Sequence, residues 1–320
     1  MLRLRIIGAE SLGVRGLCCL VTTDSRRVLI DPGVSLGFVR GGLPPHPLQV
    51  AAGRAVRARI VRELARATDV VVSHFHGDHV PLSDANPYQL ALTDLPTQPR
   101  DQRWWASPPT RSPLVRRYEE LRSALDAGLQ PTEGISDGWL TFSDPVPHGC
   151  AGASLGGVVM TRIQCGDEVF VHASDIQLLD SSAIDRILSY RPSTVLTAGP
   201  PLYLRSLSVS DRQAAFENAI RLARGVETLI LDHHVMRSLD GIEWLDEVSA
   251  EAGRRVYCAA DYMGQSHQLL EARRAELYVT MPVPPDWHAR YAAGEASVDP
   301  YVERSRVLGH GVTGRWSAAC

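Results

Sequence analysis

The segment His74-Phe75-His76-Gly77-Asp78-His79 gathers four potential metal ligands directly after the apolar run Asp69-Val70-Val71-Val72-Ser73. Imidazole and carboxylate are ligands that zinc, iron and manganese favour. In an extended segment residues i and i+2 face the same way, so His74 and His76 can grip one cation. The turn at Gly77 then lets Asp78 and His79 point to a second. A single histidine is usually structural or solvated. Four such residues at this spacing, behind a buried strand, point to a metal centre.

The rest of the chain is organised around strands of the same kind. Residues 2–7, 17–23 and 27–31 read as strands, and Asp31-Pro32-Gly33 stops the third, because proline cannot continue a ladder. Residues 48–67 read as a helix, with Val56, Ile60 and Leu64 on one face. Helices are also expected at 114–126, 182–190, 210–224, 239–252 and 265–277. Further strands are expected at 157–163, 168–172, 194–197, 228–231 and 254–259. Ser210-Asp211-Arg212-Gln213 reads as a capping box. An early meander followed by alternating strands and helices suggests an α+β or α/β sandwich of mixed sheets covered by helices. Every chemically interesting residue falls just after a strand, where a rigid sheet holds it facing a shared cleft. Residues 81–137, rich in Pro and Arg with Trp104-Trp105 in the middle, read as an insertion over or beside the site. The stretch 279–320 reads as a C-terminal extension to a domain spanning 1–278.

Composition narrows the function classes. The chain of 320 residues is 44 % hydrophobic, enough for a sizeable core. No run approaches about 18 apolar residues, so no membrane span is expected, and the charged start does not resemble a secretory signal. All 33 basic residues are Arg. Lysine Schiff-base chemistry and a Gly-Lys-Ser/Thr phosphate loop are therefore excluded. A net charge of −3 with no basic tract offers no footprint for nucleic acid. The six cysteines form no Cys-x-x-Cys, and adjacent Cys18 and Cys19 fall on opposite faces of a strand as small core residues. A cytoplasmic location is the expectation.

The histidine segment resembles the His-x-His-x-Asp-His signature of the metallo-β-lactamase superfamily. Its other motifs follow in order: Asp31 after Val28-Leu29-Ile30, His148 in Pro147-His148-Gly149, Asp175 in Val171-His172-Ala173-Ser174-Asp175, and His233 or His234 after Leu231-Asp232. A narrower resemblance covers residues 5–278. It runs through Glu10-Ser11-Leu12-Gly13-Val14-Arg15, Gly42-Leu43-Pro44-Pro45-His46-Pro47, Gly199-Pro200-Pro201-Leu202-Tyr203-Leu204 and Leu270-Glu271-Ala272-Arg273-Arg274. These are similar to a prokaryotic branch known only as metal-dependent hydrolases.

The resemblance implies an αββα sandwich of two mixed β-sheets flanked by helices. It implies one divalent ion held by His74, His76 and His148, and a second held by Asp78, His79 and His233 (or His234). Asp175 is shared between them, and Asp31 supports a ligand from behind. His233, nearer the strand end, is the preferred ligand of the pair. Asp78 and Asp31 are thereby the expected catalytic carboxylates. Zinc is the first expectation, with iron or manganese admitted by an all-nitrogen-and-oxygen site.

The expected activity is hydrolysis, by a metal-bridging hydroxide, of an ester, thioester, lactone or phosphoester in a small molecule. A di-iron oxidoreductase or oxygenase on the same ligands is the alternative. A bridging aspartate disfavours β-lactam hydrolysis, and the stretch between Asp175 and Asp232 is too short for the domain that RNA-processing branches insert. A homo-oligomer remains open. Among other candidates, His172 reads as a hydrogen-bonded core histidine and Cys150 as a packing residue. His46 reads equally as a cleft or a rigid-loop residue, and Arg237 as a substrate contact or a surface arginine. His267, His288 and His310 show no ligand spacing.

Overall fold

The structure is a computed structural model and describes residues 1–125, 128–136, 138–149 and 156–307. Cys150 and His310 lie outside the described residues. The chain opens with β1 (Arg3–Gly8), β2 (Cys18–Thr22) and β3 (Arg27–Ile30), an antiparallel meander. Helix α1 (Pro47–Leu64) crosses over to β4 (Asp69–Val72), which joins β3 in parallel. β5 (Arg103–Ala106) adds a parallel edge beyond β4, and α2 (Ser112–Ala124) follows. Trp104-Trp105 is thus a strand of the first sheet, whose order is β1-β2-β3-β4-β5.

The second sheet collects β6 (Leu140–Phe142), β9 (Thr161–Cys165) and β10 (Glu168–Ser174) as antiparallel neighbours. Between β6 and β9 lies a small two-stranded ribbon of β7 (Val146–Pro147) and β8 (Gly157–Val158). Helix α3 (Ser181–Ser189) leads to β11 (Thr194–Thr197), and α4 (Val209–Gly225) leads to β12 (Thr228–Leu231). Both strands are parallel to β10, giving the order β12-β11-β10-β9-β6. Helices α5 (Asp240–Ala252), α6 (Ala259–Tyr262), α7 (Arg274–Thr280), α8 (Trp287–Ala292) and α9 (Asp299–Val307) complete the described chain. Two mixed five-stranded sheets flanked by helices thus form an αββα sandwich, the architecture that the resemblance implies.

Alternation along the strands explains the layers. Cys19, Val21, Val28, Ile30, Val71 and Trp105 belong to the core that the second sheet shares. Their neighbours Cys18, Leu20, Leu29, Val70, Val72 and Trp104 pack with Val56, Ile60 and Leu64 of α1. Adjacent residues such as Cys18 and Cys19 therefore serve two different interfaces, as strand geometry requires. Because the middle strands are covered on both faces, they read as continuous apolar runs.

Several details differ from the sequence expectation, among them the strand expected at 157–163, which divides into β8 and β9. The N-cap of α4 is Ser208, whose Oγ accepts from Asp211 N at 3.0 Å, and not Ser210. Residues 254–259 contribute one isolated bridge, Ile230 to Tyr257, before α6 begins. The helix expected at 265–277 forms only from Arg274. No described helix is long and apolar enough to cross a membrane.

Candidate metal centre

The site assembles where strands of both sheets end on the same side. Asp31 follows β3, His74 follows β4, Asp175 follows β10 and His233 follows β12. Three of these ends turn through the left-handed region with no glycine: Asp31 (φ 51°), Ser174 (φ 48°) and His233 (φ 48°). Such conformations cost about 1–3 kcal/mol each and persist only where surrounding structure enforces them. Two glycines let the backbone close in. A Cβ on Gly16 would lie 2.6 Å from the Asp78 carbonyl oxygen, and one on Gly33 would lie 2.3 Å from Val80 N.

Asp175 is the centre of the cluster. Its Oδ2 is 3.0 Å from His148 Nε2 and 3.5 Å from His74 Nε2, which is itself 3.1 Å from His76 Nδ1. Its Oδ1 is 3.1 Å from His79 Nε2 and 3.4 Å from His233 Nε2; the latter is 3.5 Å from Asp78 Oδ2. The two oxygens thus address two sets of donors: His74, His76 and His148, and Asp78, His79 and His233. Ligands on a tetrahedral ion with bonds of about 2.0–2.2 Å stand roughly 3.3–3.6 Å apart, close to the spacings seen. His79 Nε2 and Asp175 Oδ1 are buried and 3.1 Å apart, yet neither makes a hydrogen bond. The ligand atoms of His74, His76, His148 and Asp175 lie within 4.8 Å of one another, as do those of Asp78, His79 and His233. The residues fit a pair of divalent cations.

His234 also reaches Asp175, with Nε2 3.3 Å from Oδ2, while its Nδ1 is 3.1 Å from Tyr203 Oη. His233 therefore lies with Asp78 and His79, and His234 lies on the His148 side.

Asp31 supports the cluster from beneath. It is fully buried and accepts from Ser73 N, Ser73 Oγ and Ser174 Oγ, each at 2.8 Å, and from His79 Nδ1 at 2.9 Å. With its outer N–H held by a carboxylate, His79 presents Nε2 to the centre. Burial would raise the Asp31 pKa, but His79 outweighs it and holds the carboxyl at about 2. Burial likewise opposes ionisation of Asp175 and Asp78, and neighbouring imidazoles led by His79 and His233 hold both below the usual carboxylate range. Burial keeps His74 and His233 below the ordinary histidine value, His76 at about 3 and His234 at about 4. These rings are neutral at neutral pH, the form that carries a free lone pair. His79 is the exception: Asp175 and Asp31 overcome its burial and raise it.

The remaining candidates sort themselves by contact. His172 is buried, with Nε2 3.0 Å from Leu17 O, as expected of a core histidine. His46 caps α1, its Nδ1 accepting from Leu48 N. His267 pairs with Asp261, and His288 sits between Tyr88 and Tyr278. Arg237 is not a surface residue. It is 5 % exposed, donating to Glu10 Oε1 at 2.7 Å and to Tyr203 Oη at 3.1 Å. Ser73, Ser174, Tyr203 and Glu10 are site residues that the sequence did not single out. The two serines are flagged only by preceding His74 and Asp175; the other two lie inside the segments that carry the narrower resemblance.

No family model matches the chain. A UPF0282 protein of Methanosarcina mazei is 46 % identical over 302 residues, covering 94 % of this chain and 100 % of its own length. Among solved structures, the metallo-β-lactamase fold protein YhfI from Bacillus subtilis aligns with TM-score 0.49 and 14 % identity, over 81 % of this chain and 96 % of its own. A metal-dependent hydrolase of the β-lactamase superfamily, Tm1679, aligns with TM-score 0.48 and 16 % identity over the same shares. The identity and coverage of the archaeal relative show that the chain belongs to the UPF0282 family.

Proposed function

We propose that this protein is a hydrolase that acts through two divalent ions on an ester, thioester, lactone or phosphoester in a small molecule. The observation that carries the reading is the gathering of His74, His76, His148 and Asp175, and of Asp78, His79 and His233, into two adjoining groups whose ligand atoms lie within 4.8 Å of one another. In this reading His74, His76 and His148 would hold one ion and Asp78, His79 and His233 the other, with one oxygen of Asp175 beside each group. Such ions, when bound, acidify water from a pKa of about 15.7 to about 7 and polarise a substrate oxygen.

The chain's own residues supply the rest. Asp31 fixes the His79 ring so that Nε2 faces the centre. Ser73 Oγ lies 2.9 Å from His74 Nδ1 and secures that ring in the same way. His76 and Asp78 are partly exposed, so substrate approaches from their side. His234, steadied by Tyr203, sets a neutral imidazole 3.3 Å from Asp175 Oδ2 on the His148 side of the centre.

The test is metal content of the protein from unsupplemented cells, followed by turnover on a panel of esters, thioesters, lactones and phosphoesters. About two zinc, iron or manganese ions per chain and hydrolysis of one class would support the reading. Stoichiometric iron with a visible absorption band and no hydrolysis would replace it with redox chemistry. Metal-loaded protein inert in both respects would sink it.

A further inference from the structure

We infer that the two ion positions are unequal by construction: Arg237 sets a fixed guanidinium against the Asp78–His79–His233 position, so a cation is held there far more weakly than at His74–His76–His148. The inference rests on reading the cluster as a two-ion centre.

Arg237 Nη2 lies 3.0 Å from His233 Nε2, 3.1 Å from His233 Nδ1 and 3.8 Å from Asp78 Oδ2. A point equidistant from both nitrogens of one ring is off their in-plane lone-pair directions, so the guanidinium lies over the ring face. It stands within hydrogen-bond distance of both nitrogens and places a permanent positive charge beside Nε2. Glu10 does not cancel this charge where it matters. Its carboxylate meets Nε of Arg237 at 2.7 Å and stands 3.9 Å from His233 Nδ1. The buried pair therefore presents its positive side to the ring. Repulsion between cations is strong in a buried, weakly screened site.

The rings differ in the same direction. A metal-binding histidine ordinarily gives its outer N–H to an acceptor. His79 has Asp31 for this, and His74 has the Ser73 hydroxyl. His233 Nδ1 instead meets a donor, the Gly16 N–H at 3.2 Å. An ion on His233 Nε2 thus requires rearrangement behind the ring. At the other position, His234 Nε2 adds a further nitrogen 3.3 Å from Asp175 Oδ2. The protein is built to keep one resident ion and to take up the second only at higher free metal.

The experiment is calorimetric titration of zinc into chelator-stripped, full-length protein, with a competing chelator to reach the tight step. Two steps separated by roughly 100-fold or more are expected. The double variant Glu10→Gln/Arg237→Met removes the pair without stranding a buried charge. It should strengthen the weak step by about tenfold or more and leave the tight step unmoved. Glu10→Gln alone should weaken the weak step further. Equal steps in the wild type, or variants that leave the gap unchanged or shift both steps alike, would overturn the inference. Should the double variant not fold, crystals of wild-type protein with one equivalent of zinc decide by anomalous scattering. Signal at His74–His76–His148 supports it; signal at the other position, or equally at both, overturns it. Binding of no zinc at all would overturn both this inference and the metal-centre reading, whereas two equal ions would overturn the inference alone.

Discussion

Two regions of this molecule bury charged side chains, and they do so in opposite ways. Around Asp175, imidazole nitrogens and carboxylate oxygens of seven other residues crowd against one another. Around Arg274, 1 % exposed, each terminal nitrogen is used. Its Nη1 donates to the carbonyls of Gly37 and Leu43, and its Nη2 to Leu36 O and Gln49 Oε1. Beside it, Glu271 accepts both Arg15 and Arg40. This second cluster fastens the loop between β3 and α1 to the C-terminal helices. Burial of charge is common to both. What separates a site from a strut is whether potential metal ligands crowd against one another or each carbonyl and carboxylate meets a guanidinium.

The largest effect expected is therefore split by region. Asp175→Ala removes an oxygen from each donor set. Metal content after dialysis should fall to near zero, and activity should drop by more than the roughly 10–100-fold that losing an outer partner costs. The variant should still fold, since its loss is of metal and not of packing. Retention of two ions in Asp175→Ala would show that the convergence is incidental.

Arg274→Met tests the strut. It leaves three backbone carbonyls and Gln49 without their donor, at about 1–3 kcal/mol for each that water cannot reach. A loss of roughly 2–5 kcal/mol in denaturant unfolding is expected, with ions per chain unchanged in the folded protein. Normal stability with lost metal would invert the comparison.

How far the sequence reveals each region follows from how local its logic is. The ligands of the 74–79 segment are legible because their spacing is set by one strand end and one turn. Asp31, His148 and Asp175 become legible through motif order, each placed by its own strand. The Arg237–Glu10–Tyr203 network is not legible, because its partners come from three distant segments and only folding brings them within 3.1 Å. The same holds for Arg274: its segment carries part of the narrower resemblance, but the sequence does not show that its guanidinium meets Leu36, Gly37, Leu43 and Gln49. β5 is hidden because four strand residues sit among Pro- and Arg-rich turns, and the strand is held by its pairing with β4 more than by its own pattern. The sandwich as a whole is legible since alternation and apolar runs depend only on which faces are covered.

Asp31→Asn sharpens the comparison within the site. Ser73 and Ser174 hydroxyls still find an oxygen, but the His79 N–H loses a charged acceptor. Affinity for the more weakly held ion should fall by about 10–100-fold, less than Asp175→Ala costs. Equal damage from both variants would mean that Asp31 binds an ion directly.

The smallest effect contrasts a histidine of the strut with those of the site. His46 is fully buried, its Nε2 3.0 Å from Met281 O and its Nδ1 accepting from Leu48 N, flanked by the rings of Tyr278 and Tyr301. Burial lowers its pKa from 6.5 to about 4. The unfolded chain thus takes up a proton before the folded one does. The contribution of His46 is fully present above pH 6.5, erodes as pH falls toward 4, and is constant below that. From pH 7.5 to pH 5 the loss amounts to about 2 kcal/mol. His46→Asn keeps an acceptor for the helix end and cannot titrate. Metal-stripped His46→Asn should therefore lose less stability over that interval than metal-stripped wild type, by about this amount. Parallel pH profiles for the two proteins would assign the acid sensitivity to the site histidines instead and remove His46 from the structural cluster's account.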